Sequence, residues 1–424
     1  MIKFYLLIYD YILLPLFSFL MNLYSLFNEK ARKAIEGRKR IFEKIILEIQ
    51  DLNSHKRLVW FHASSMGEFE QAKPIIEKLH SLGVYNIMVT FFSPSGYENS
   101  KHYAFADIIT YLPFDKSYLI KRFLTLVRPS LVVFMRYDIW PNLLINLEKR
   151  KIPVFLVDAT LRASRTETIG IVKSFYRTLY NKLSRILTVS EKDKENFLKI
   201  GVMPEIIDVA GDTRFDRVYG KSLEAKKKNL LDENIFNNRD VFIIGSSWEA
   251  DENVLFPAIE KLYDFGYDFV TIVVPHEPTQ SHIEGVENFF RNKYNTIRFS
   301  EMRNYNGEKI IIVDSIGILL SLYYYADIAY VGGSFKQIHN VLEPAVFGVP
   351  VLFGPKIETS REANELVELG SGIIVKDKKE AYKKLRFLLL NKKERDKLGE
   401  ISANYVKENI GATDKIILEL HKYI

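Results

Sequence analysis

The chain has 424 residues, of which 47% are hydrophobic and 26% are charged, and its 59 Lys and Arg against 53 Asp and Glu give a formal net charge of +6. This composition excludes a disordered or collagen-like protein, and the length predicts two or three domains of about 100–200 residues each. Because the sequence has no cysteine, it also excludes disulfide frameworks, thiol catalysis and cysteine-bound zinc or iron–sulfur sites.

The amino-terminal sequence is typical of a membrane anchor, which we predict over residues 1–28. Residues 4–27 form an apolar run in which Asp10 is the sole charge, and as a helix the run would extend roughly 36 Å, enough to cross a bilayer core of about 30 Å. Residues 29–40 then carry six basic and two acidic side chains, which by the positive-inside rule places the rest of the chain in the cytoplasm. Asp10 and Pro15 leave open a helix that lies in one leaflet, and a buried core helix is the alternative. A signal peptide is disfavoured because the run is long and its positive charge follows it.

The remainder of the chain repeats one pattern twice, with short apolar runs separated by amphipathic segments. The first set of runs lies at 58–61, 87–92, 131–134, 154–157 and 186–189, and the second at 241–245, 269–274, 310–313, 328–333, 351–353 and 372–375. Runs of Val, Ile and Leu without alternation fit strands that are buried on both faces of a parallel sheet. We therefore predict an α/β protein with two Rossmann-like domains, 29–218 and 236–424, joined by a linker at 219–235. The last helix can pack back on the first domain.

In such sheets, ligands bind beyond the carboxyl ends of the strands, and polar residues follow several of the runs. Glu68 follows Gly67 at a predicted turn from strand to helix. There the helix dipole and the free amides stabilise its anion, which keeps it available as a base near neutral pH. The alternative for Glu68 is a helix-capping role alone.

Two segments of the second domain predict phosphate binding, because glycine and serine after a strand leave backbone amides free. They comprise Gly245, Ser246, Ser247, Gly333 and Ser334. A simple turn is the alternative at each place. Farther along, Glu343 falls in the first turn of a predicted helix, where a carboxylate can accept hydrogen bonds from a ribose diol; His339 and Asn340 can equally serve only as caps.

Several function classes lack their motifs in this sequence. There is no H-x-x-x-H pair and no Asp-x-Asp, so we predict no metal site, and neither a P-loop nor a G-x-G-x-x-G fingerprint occurs. Nucleic-acid binding is not favoured, because acidic residues intersperse the basic ones. Positive charge is concentrated in 29–40 and in 376–397, which holds ten basic and four acidic residues, so both segments are candidates to face anionic lipid.

Taken together, the motifs resemble the 3-deoxy-D-manno-octulosonic acid (Kdo) transferases, GT-B glycosyltransferases that modify the lipid A precursor. The resemblance covers nearly the whole chain and rests on the anchor and on the order of the segments 62–76, 90–98, 111–115, 134–142, 210–218, 245–252, 273–278, 313–319 and 331–355. It implies two Rossmann-like domains facing a cleft, an amino-terminal one for the acceptor and a carboxyl-terminal one for CMP-Kdo.

The resemblance also implies the reaction and its setting. Kdo would pass from CMP-Kdo to lipid IVA, the tetraacyl disaccharide 1,4'-bisphosphate, in lipopolysaccharide biosynthesis, by an inverting transfer without metal or cofactor. The enzyme would be held on the cytoplasmic side of the inner membrane, with anionic membrane lipids as further partners and no nucleic acid.

By the same resemblance, Glu68 is the general base and Arg214 a cation that stabilises the transition state. The CMP-binding positions are Pro275, His276, Ile316, Gly317, Ile318, Asn340, Val341, Leu342 and Glu343. This chain departs from the family pattern in four places: Arg136 stands where many members have an acid, Asp138 where they have Glu, His276 where they have Arg, and Trp248 where His is common. These departures leave the roles of Arg136 and His276 open.

Two other functions remain open from the sequence. One is a membrane-associated GT-B transferase that uses a UDP-sugar on a different lipid. The other is a non-catalytic lipid A-binding protein that keeps the fold, which the intact Glu68 segment and nucleotide segments disfavour.

Overall fold

The computed structural model describes residues 2–161, 170–228, 230–232 and 234–424, without the side chains of 2–4 and 171. The chain divides into two compact units, one comprising Met1–Arg217 with Ile410–Ile424 and the other Val218–Asn409. Each unit is built on a parallel sheet with helices between its strands, which confirms the predicted α/β class.

The first unit contains, among its described residues, a seven-stranded sheet in the order β3-β2-β1-β4-β5-β6-β7. Its strands are β1 Arg57–Ala63, β2 Tyr85–Phe91, β3 Ile108–Tyr111, β4 Leu131–Met135, β5 Val154–Ala159, β6 Arg185–Thr188 and β7 Ile207–Val209. Along β1, Val59 and Phe61 lie in the core on one face and Trp60 lies in the core on the other. Because both faces are covered, the strands carry no polar alternation, and this is why apolar runs marked them in the sequence.

The helices of residues 2–227 connect successive strands, apart from those that precede β1 and the last one, which follows β7 and extends past Arg217 into the second unit. They are α1 Ile2–Ile8, a π-helical turn Tyr9–Leu13, α2 Leu14–Ser25, α3 Glu29–Lys39, α4 Ile41–Gln50, α5 Met66–Ser81, α6 Pro94–Ser100, α7 Ser117–Val127, α8 Pro141–Lys149, α9 Gly170–Tyr180, α10 Glu191–Ile200 and α11 Thr213–Lys227. Helix α11 extends into the predicted linker, so residues 219–227 are helical because the amphipathic pattern that begins at Thr213 continues through them. Positions 229 and 233 of that linker lie outside the described residues.

The second unit repeats the arrangement with a seven-stranded sheet among its described residues, in the order β10-β11-β9-β8-β12-β13-β14. Its strands are β8 Asp240–Ser247, β9 Phe269–Pro275, β10 Thr296–Arg298, β11 Ile310–Ile312, β12 Ile328–Val331, β13 Val351–Phe353 and β14 Gly372–Ile374. Its helices are α12 Glu249–Asp264, α13 Gln280–Phe290, α14 Leu319–Tyr323, α15 Leu342–Ala345, α16 Arg361–Glu368, α17 Lys378–Leu390 and α18 Lys392–Glu408.

The last helix, α19 Ala412–His421, belongs to the first unit, so the carboxyl-terminal boundary at 424 is corrected, and the expectation that the last helix can pack back on the first domain is confirmed. Ile416 and Leu420 are buried in the core on the α5 side of the first sheet. The carboxylate of Asp216 accepts hydrogen bonds from the amides of Gly411 (2.6 Å) and Thr413 (2.7 Å), which fixes the start of the helix.

Among the described helices, the stretch Tyr5–Ser25 is the one that is long and apolar enough to cross a membrane. Its mean hydropathy is 1.7. One side of it nevertheless contacts the first unit: Asp10 accepts a hydrogen bond of 2.6 Å from the side-chain amide of Asn142, and the rings of Phe17 and Phe92 lie 6.2 Å apart. Large apolar side chains elsewhere on this stretch are exposed, namely Leu7, Tyr11, Ile12, Leu13, Leu16, Phe19, Leu20, Leu23 and Tyr24.

Candidate active site

Glu68 lies in the first turn of α5, directly beyond the carboxyl end of β1. Its Oε2 accepts hydrogen bonds from the amides of Ser64 (2.6 Å) and Ser65 (3.2 Å), while the Ser65 hydroxyl accepts the amide of Glu68 at 3.4 Å. This is a capping box, so Glu68 does perform the capping role that the sequence left open. The cap engages one carboxylate oxygen and fixes the orientation of the group.

The electrostatic balance at Glu68 differs from the sequence expectation. We expected the helix terminus to dominate and to favour the anion. Glu68 is only 7% exposed, and burial, followed by the negative charge of Asp138, raises its pKa above the usual value despite the two backbone hydrogen bonds. A carboxylate with a raised pKa holds a proton more tightly, which makes its ionised form a stronger base.

A polar network that the sequence analysis did not find adjoins Glu68. The carboxylate of Asp138 accepts hydrogen bonds from the buried ring of His62 (2.9 Å), from the indole of Trp140 (3.3 Å) and from the hydroxyl of Ser64. Burial opposes ionisation, but these donors hold the pKa of Asp138 below its usual range. Ser64 therefore links the two acids, because its amide donates a hydrogen bond to Glu68 and its hydroxyl donates one to Asp138. The available sequence signal was the placement of His62 and Asp138 at the ends of strands β1 and β4, which pair directly.

Arg214 binds the buried carboxylate of Asp212, and the charge of Arg136 acts on the same carboxylate. Arg214 donates to it through Nε (3.1 and 3.0 Å) and through its terminal nitrogen (2.6 Å). Burial alone would favour the neutral acid, but the charge and hydrogen bonds of Arg214, together with the charge of Arg136, lower the pKa of Asp212. Arg136 adopts a positive φ of 63° just past β4, and its amide donates to the carbonyl of Val157 at 2.7 Å. Both predicted cations therefore lie at the same edge of the sheet.

In the second unit, the predicted CMP-binding positions follow neighbouring strands. Pro275 ends β9, and the ring of His276 stacks with two rings that follow other strands, Trp248 (centroids 4.7 Å apart) and His339 (4.3 Å). The indole of Trp248 donates to Nε2 of His339 at 3.1 Å. Burial, followed by the proximity of His276, lowers the pKa of His339 to about 4, so His339 is neutral at pH 7 and can accept that bond.

The remaining predicted CMP positions lie in two loops at the same edge. The turn at Ile316–Ile318 follows β11, with Gly317 at a φ of 88° and Ile316 84% exposed. Val341 and Leu342 are buried at the start of α15, and Glu343 occupies its first turn and accepts from the side chain of Asn340 at 3.3 Å.

The structure corrects the predicted phosphate loops, because most of the groups they relied on already have partners within the protein. The Ser247 hydroxyl donates to Glu252 (2.7 Å), and the amide of Gly333 donates to Asp251 (2.8 Å). Ser334 is fully buried, and its hydroxyl accepts the amide of Gly354 at 2.5 Å. The glycines serve packing instead: a Cβ on Gly245 would overlap the hydroxyl of Tyr323, and one on Gly332 would overlap the carbonyl of Ser246.

The predicted lipid-facing basic segments are also corrected, each at one residue. Arg38 is 8% exposed and donates to three main-chain carbonyls, and Arg395 is 2% exposed and pairs with Asp240 at 2.6 Å. Neither guanidinium reaches solvent freely, so these two charges stabilise the fold rather than a lipid contact.

Within the described ranges, no three His, Asp or Glu side chains are grouped so that they could hold a metal ion. The absence of a metal from the reaction remains a prediction.

Comparison with known proteins identifies the family. Residues 39–217 match the family model of 3-deoxy-D-manno-octulosonic-acid transferase (kdotransferase). The chain is 31% identical over 379 residues to the 3-deoxy-D-manno-octulosonic acid transferase of Aquifex aeolicus, covering 87% of this chain and 96% of that one. It is 28% identical over 375 residues to the Haemophilus influenzae enzyme of the same name, covering 86% and 87%.

Among solved structures, the UDP-GlcNAc 2-epimerase of Neisseria meningitidis has the same fold, with a TM-score of 0.62 at 18% identity, covering 87% of this chain and all (100%) of that one. That likeness concerns the fold alone. The identity to the Aquifex and Haemophilus enzymes, which extends over both units, decides the family. The chain is a member of the 3-deoxy-D-manno-octulosonic acid transferase family and therefore a GT-B glycosyltransferase.

Proposed function

We propose that the protein transfers Kdo from CMP-Kdo to lipid IVA, with inversion and without a metal ion. The observation that carries this proposal is the buried, capped carboxylate of Glu68, which lies at the carboxyl edge of the first sheet in a chain of this family. A fixed carboxylate with a raised pKa has the properties of a general base for a sugar hydroxyl.

In the proposed reaction, Glu68 takes the proton of the acceptor hydroxyl as its oxygen attacks the anomeric carbon of Kdo. The new carbon–oxygen bond forms as the bond from that carbon to the CMP phosphate breaks, so the electron pair and the negative charge leave with CMP. Arg214 would offset that charge, and its pairing with Asp212 supports this role because it holds the guanidinium in one orientation.

CMP would bind the second unit at the edge where Trp248, His276 and His339 stack. An aromatic stack of this kind presents a flat surface to a pyrimidine ring, and the first-turn carboxylate of Glu343 can accept from the ribose hydroxyls. The turn at Ile316–Ile318, with its exposed main chain, would complete the site. We assign Arg136 no direct part in this reaction; its charge acts on Asp212 and would help to keep that acid ionised.

We further propose that the amino-terminal helix holds the enzyme at the cytoplasmic face of the inner membrane by lying in one leaflet. Two contacts support this orientation over a span: Asp10 is hydrogen-bonded to Asn142, and Leu14 is buried against the first unit. The exposed apolar side chains on the rest of the helix would enter the acyl region. There the enzyme would meet its bisphosphorylated lipid acceptor.

The direct test is to incubate the purified full-length protein with CMP-Kdo and lipid IVA in detergent micelles, with and without EDTA, and to identify products by mass spectrometry. We expect a Kdo-lipid and CMP in both conditions. No product under conditions in which the Aquifex enzyme is active would overturn the proposal, and activity lost in EDTA but restored by Mg²⁺ would overturn its metal-independent part. CMP and CTP should inhibit and UDP should not; the reverse would indicate a UDP-sugar donor.

Glu68→Gln tests the base directly. It should reduce turnover at least about 1,000-fold, because a glutamine amide cannot take the proton of the acceptor hydroxyl. CMP binding, measured by calorimetry, should be retained, because the proposed CMP site lies in the second unit. The matched control is Glu98→Gln, an exposed glutamate of the same unit paired with Lys101, which should keep wild-type turnover. Wild-type rates in Glu68→Gln would exclude Glu68 as the base.

A further inference from the structure

A buried acid with no part in the proposed reaction lies beside Arg214. Asp158, at the end of β5, is fully buried and adopts a φ of 50°, and it faces Thr213, the equally buried first residue of α11. The amide of Thr213 donates to Oδ1 of Asp158 at 3.2 Å. The hydroxyl of Thr213 has two partners, Oδ2 of Asp158 and the main-chain carbonyl oxygen of Gln71, the latter at 2.8 Å.

The number of protons available at this hydroxyl bears on the charge of Asp158. A threonine hydroxyl has one proton to donate, and a carbonyl oxygen can only accept. If Thr213 donates to Gln71, the bond between Thr213 and Asp158 must be donated by Asp158, which requires a proton on Oδ2. An ionised Asp158 would leave its Oδ2 and the Gln71 carbonyl oxygen, both buried, to share the single proton of the Thr213 hydroxyl, whereas a protonated Asp158 gives each of these contacts its own hydrogen.

We propose that Asp158 is a neutral carboxylic acid in the active enzyme and that it acts as a positioning residue for Arg214. Its two oxygens then have distinct tasks: Oδ1 accepts the first amide of α11, and Oδ2 donates to the adjacent hydroxyl. Both bonds fix Thr213, the residue that immediately precedes Arg214. The inference rests on the proposed function, because it matters for catalysis only if Arg214 stabilises the departing phosphate.

The surrounding charges support this assignment. Burial, followed by the negative charge of Asp212, raises the pKa of Asp158 to about 8, against the opposing effect of Thr213 and Arg214. Asp212 is held ionised by Arg214 and, less strongly, by Arg136. The two buried acids therefore share one proton between them, carried by Asp158, while the single negative charge stays on the acid that contacts Arg214.

The expected consequence is an alkaline limit on catalysis. When Asp158 loses its proton above about pH 8, a second negative charge appears beside Asp212 and the hydrogen bond to Thr213 loses its donor. Arg214 is then held by two acids instead of one, so kcat should fall while KM for CMP-Kdo changes little.

Asp158→Asn tests this directly. The asparagine amide can donate to the Thr213 hydroxyl and its oxygen can accept the Thr213 amide, so it reproduces the protonated acid without titrating, and asparagine tolerates the positive φ. We expect kcat within about twofold of wild type at pH 7 and no alkaline fall of kcat at the pH where the wild type shows it.

Thr213→Val, which keeps the shape and removes the hydroxyl, should lower kcat about tenfold. Asp264→Asn, at an exposed site, is the control. A folded Asp158→Asn protein with kcat reduced tenfold or more at pH 7 would overturn the proposal, because it would show that the ionised form is needed.

Infrared difference spectroscopy of the full-length protein separates this inference from the proposed function. The carbonyl band of a protonated aspartic acid should be present in wild type at pH 7, should disappear as the pH is raised to about 9, and should be absent at all pH values from Asp158→Asn. If wild type has no transferase activity but shows this band, the proposed function fails and the protonation of Asp158 stands. If the band of Asp158 is missing at pH 7, the inference fails whatever the activity. Should Asp158→Asn not fold, the pH titration of the wild-type band still decides.

Discussion

Replacing Arg38 by methionine is expected to destabilise the folded protein without weakening its binding to anionic vesicles, although it removes one positive charge from the segment behind the anchor. The guanidinium donates to the carbonyls of Leu112 (2.8 Å), Ala34 (2.7 Å) and Phe92 (2.7 Å), and it lies over the ring of Tyr111 at 4.9 Å. Burial lowers the pKa of Arg38 to about 10, which leaves it cationic at pH 7.

The size of the loss follows from these contacts. Each hydrogen bond from a charged donor contributes about 1.5–3 kcal/mol. Removing the guanidinium takes this hydrogen bond away from three main-chain carbonyls of the first unit. Because methionine retains most of the side-chain volume, the cavity contribution is small. Since the three bonds come from the three nitrogens of one guanidinium group and do not add independently, we expect the free energy of unfolding to fall by about 3–5 kcal/mol.

The matched control is Arg32→Met, which removes the same charge from an exposed position of the same helix. A basic residue near an anionic surface contributes about 1 kcal/mol, so Arg32→Met should weaken partition into anionic vesicles about fivefold while leaving thermal unfolding in detergent unchanged. Arg38→Met should show the opposite pattern. If folded Arg38→Met lost vesicle binding as Arg32→Met does, or if its stability were unchanged, the assignment of Arg38 to the core would be refuted.

Three further outcomes follow from the site geometry. Gly245→Ala should lower the free energy of unfolding by about 1–3 kcal/mol in denaturant titrations, because its methyl group would overlap Tyr323, and an unchanged midpoint would contradict this. Trp248→Ala should weaken CMP binding about tenfold in calorimetry by removing a ring of the stack; equal affinity would place CMP elsewhere. Since burial and Asp138 raise the pKa of Glu68, kcat/KM should fall as the pH drops through a value above that of an exposed glutamate, about 4.3. Asp138→Asn should move this acid limb to lower pH, and an unmoved limb would remove Asp138 as a cause.

The sheets could be predicted from the sequence because their strands are buried on both faces. The run at 58–61 became part of β1 and the run at 241–245 part of β8, since a stretch that contacts core on either side has no place for polar alternation. The position of Glu68 could be predicted for the same reason. Once β1 is placed, the residues that follow it must lie at the edge where such sheets bind ligands.

The partners of polar groups could not be predicted, because they come from distant parts of the chain. His62 and Asp138 are 76 positions apart and meet only because β1 pairs with β4. Ser334 looked like a phosphate ligand in its local pattern, but its acceptor role is taken by Gly354 on the next strand's end. Arg395 belongs to a basic segment that the sequence makes a candidate to face anionic lipid, and only the tertiary structure brings Asp240 to it. Local pattern gives the place of a polar residue along an element and not the identity of its partner.

Asp10, the one charge in the apolar run 4–27, illustrates how such partners change an interpretation. Asp10 weakened the prediction of a simple membrane span, because a carboxylate in an apolar helix carries a desolvation cost. In the structure it holds the side chain of Asn142, while the buried carboxylate of Asp115 accepts the backbone amide of Asn142 at 2.8 Å. Trp140, two residues earlier, donates to Asp138. The amino-terminal helix is thus joined to the short segment that also supports the acids of the candidate active site. If this helix holds the enzyme at a membrane, as we propose, the bond from Asn142 to Asp10 would let the rest of the first unit set the orientation of the helix in the leaflet.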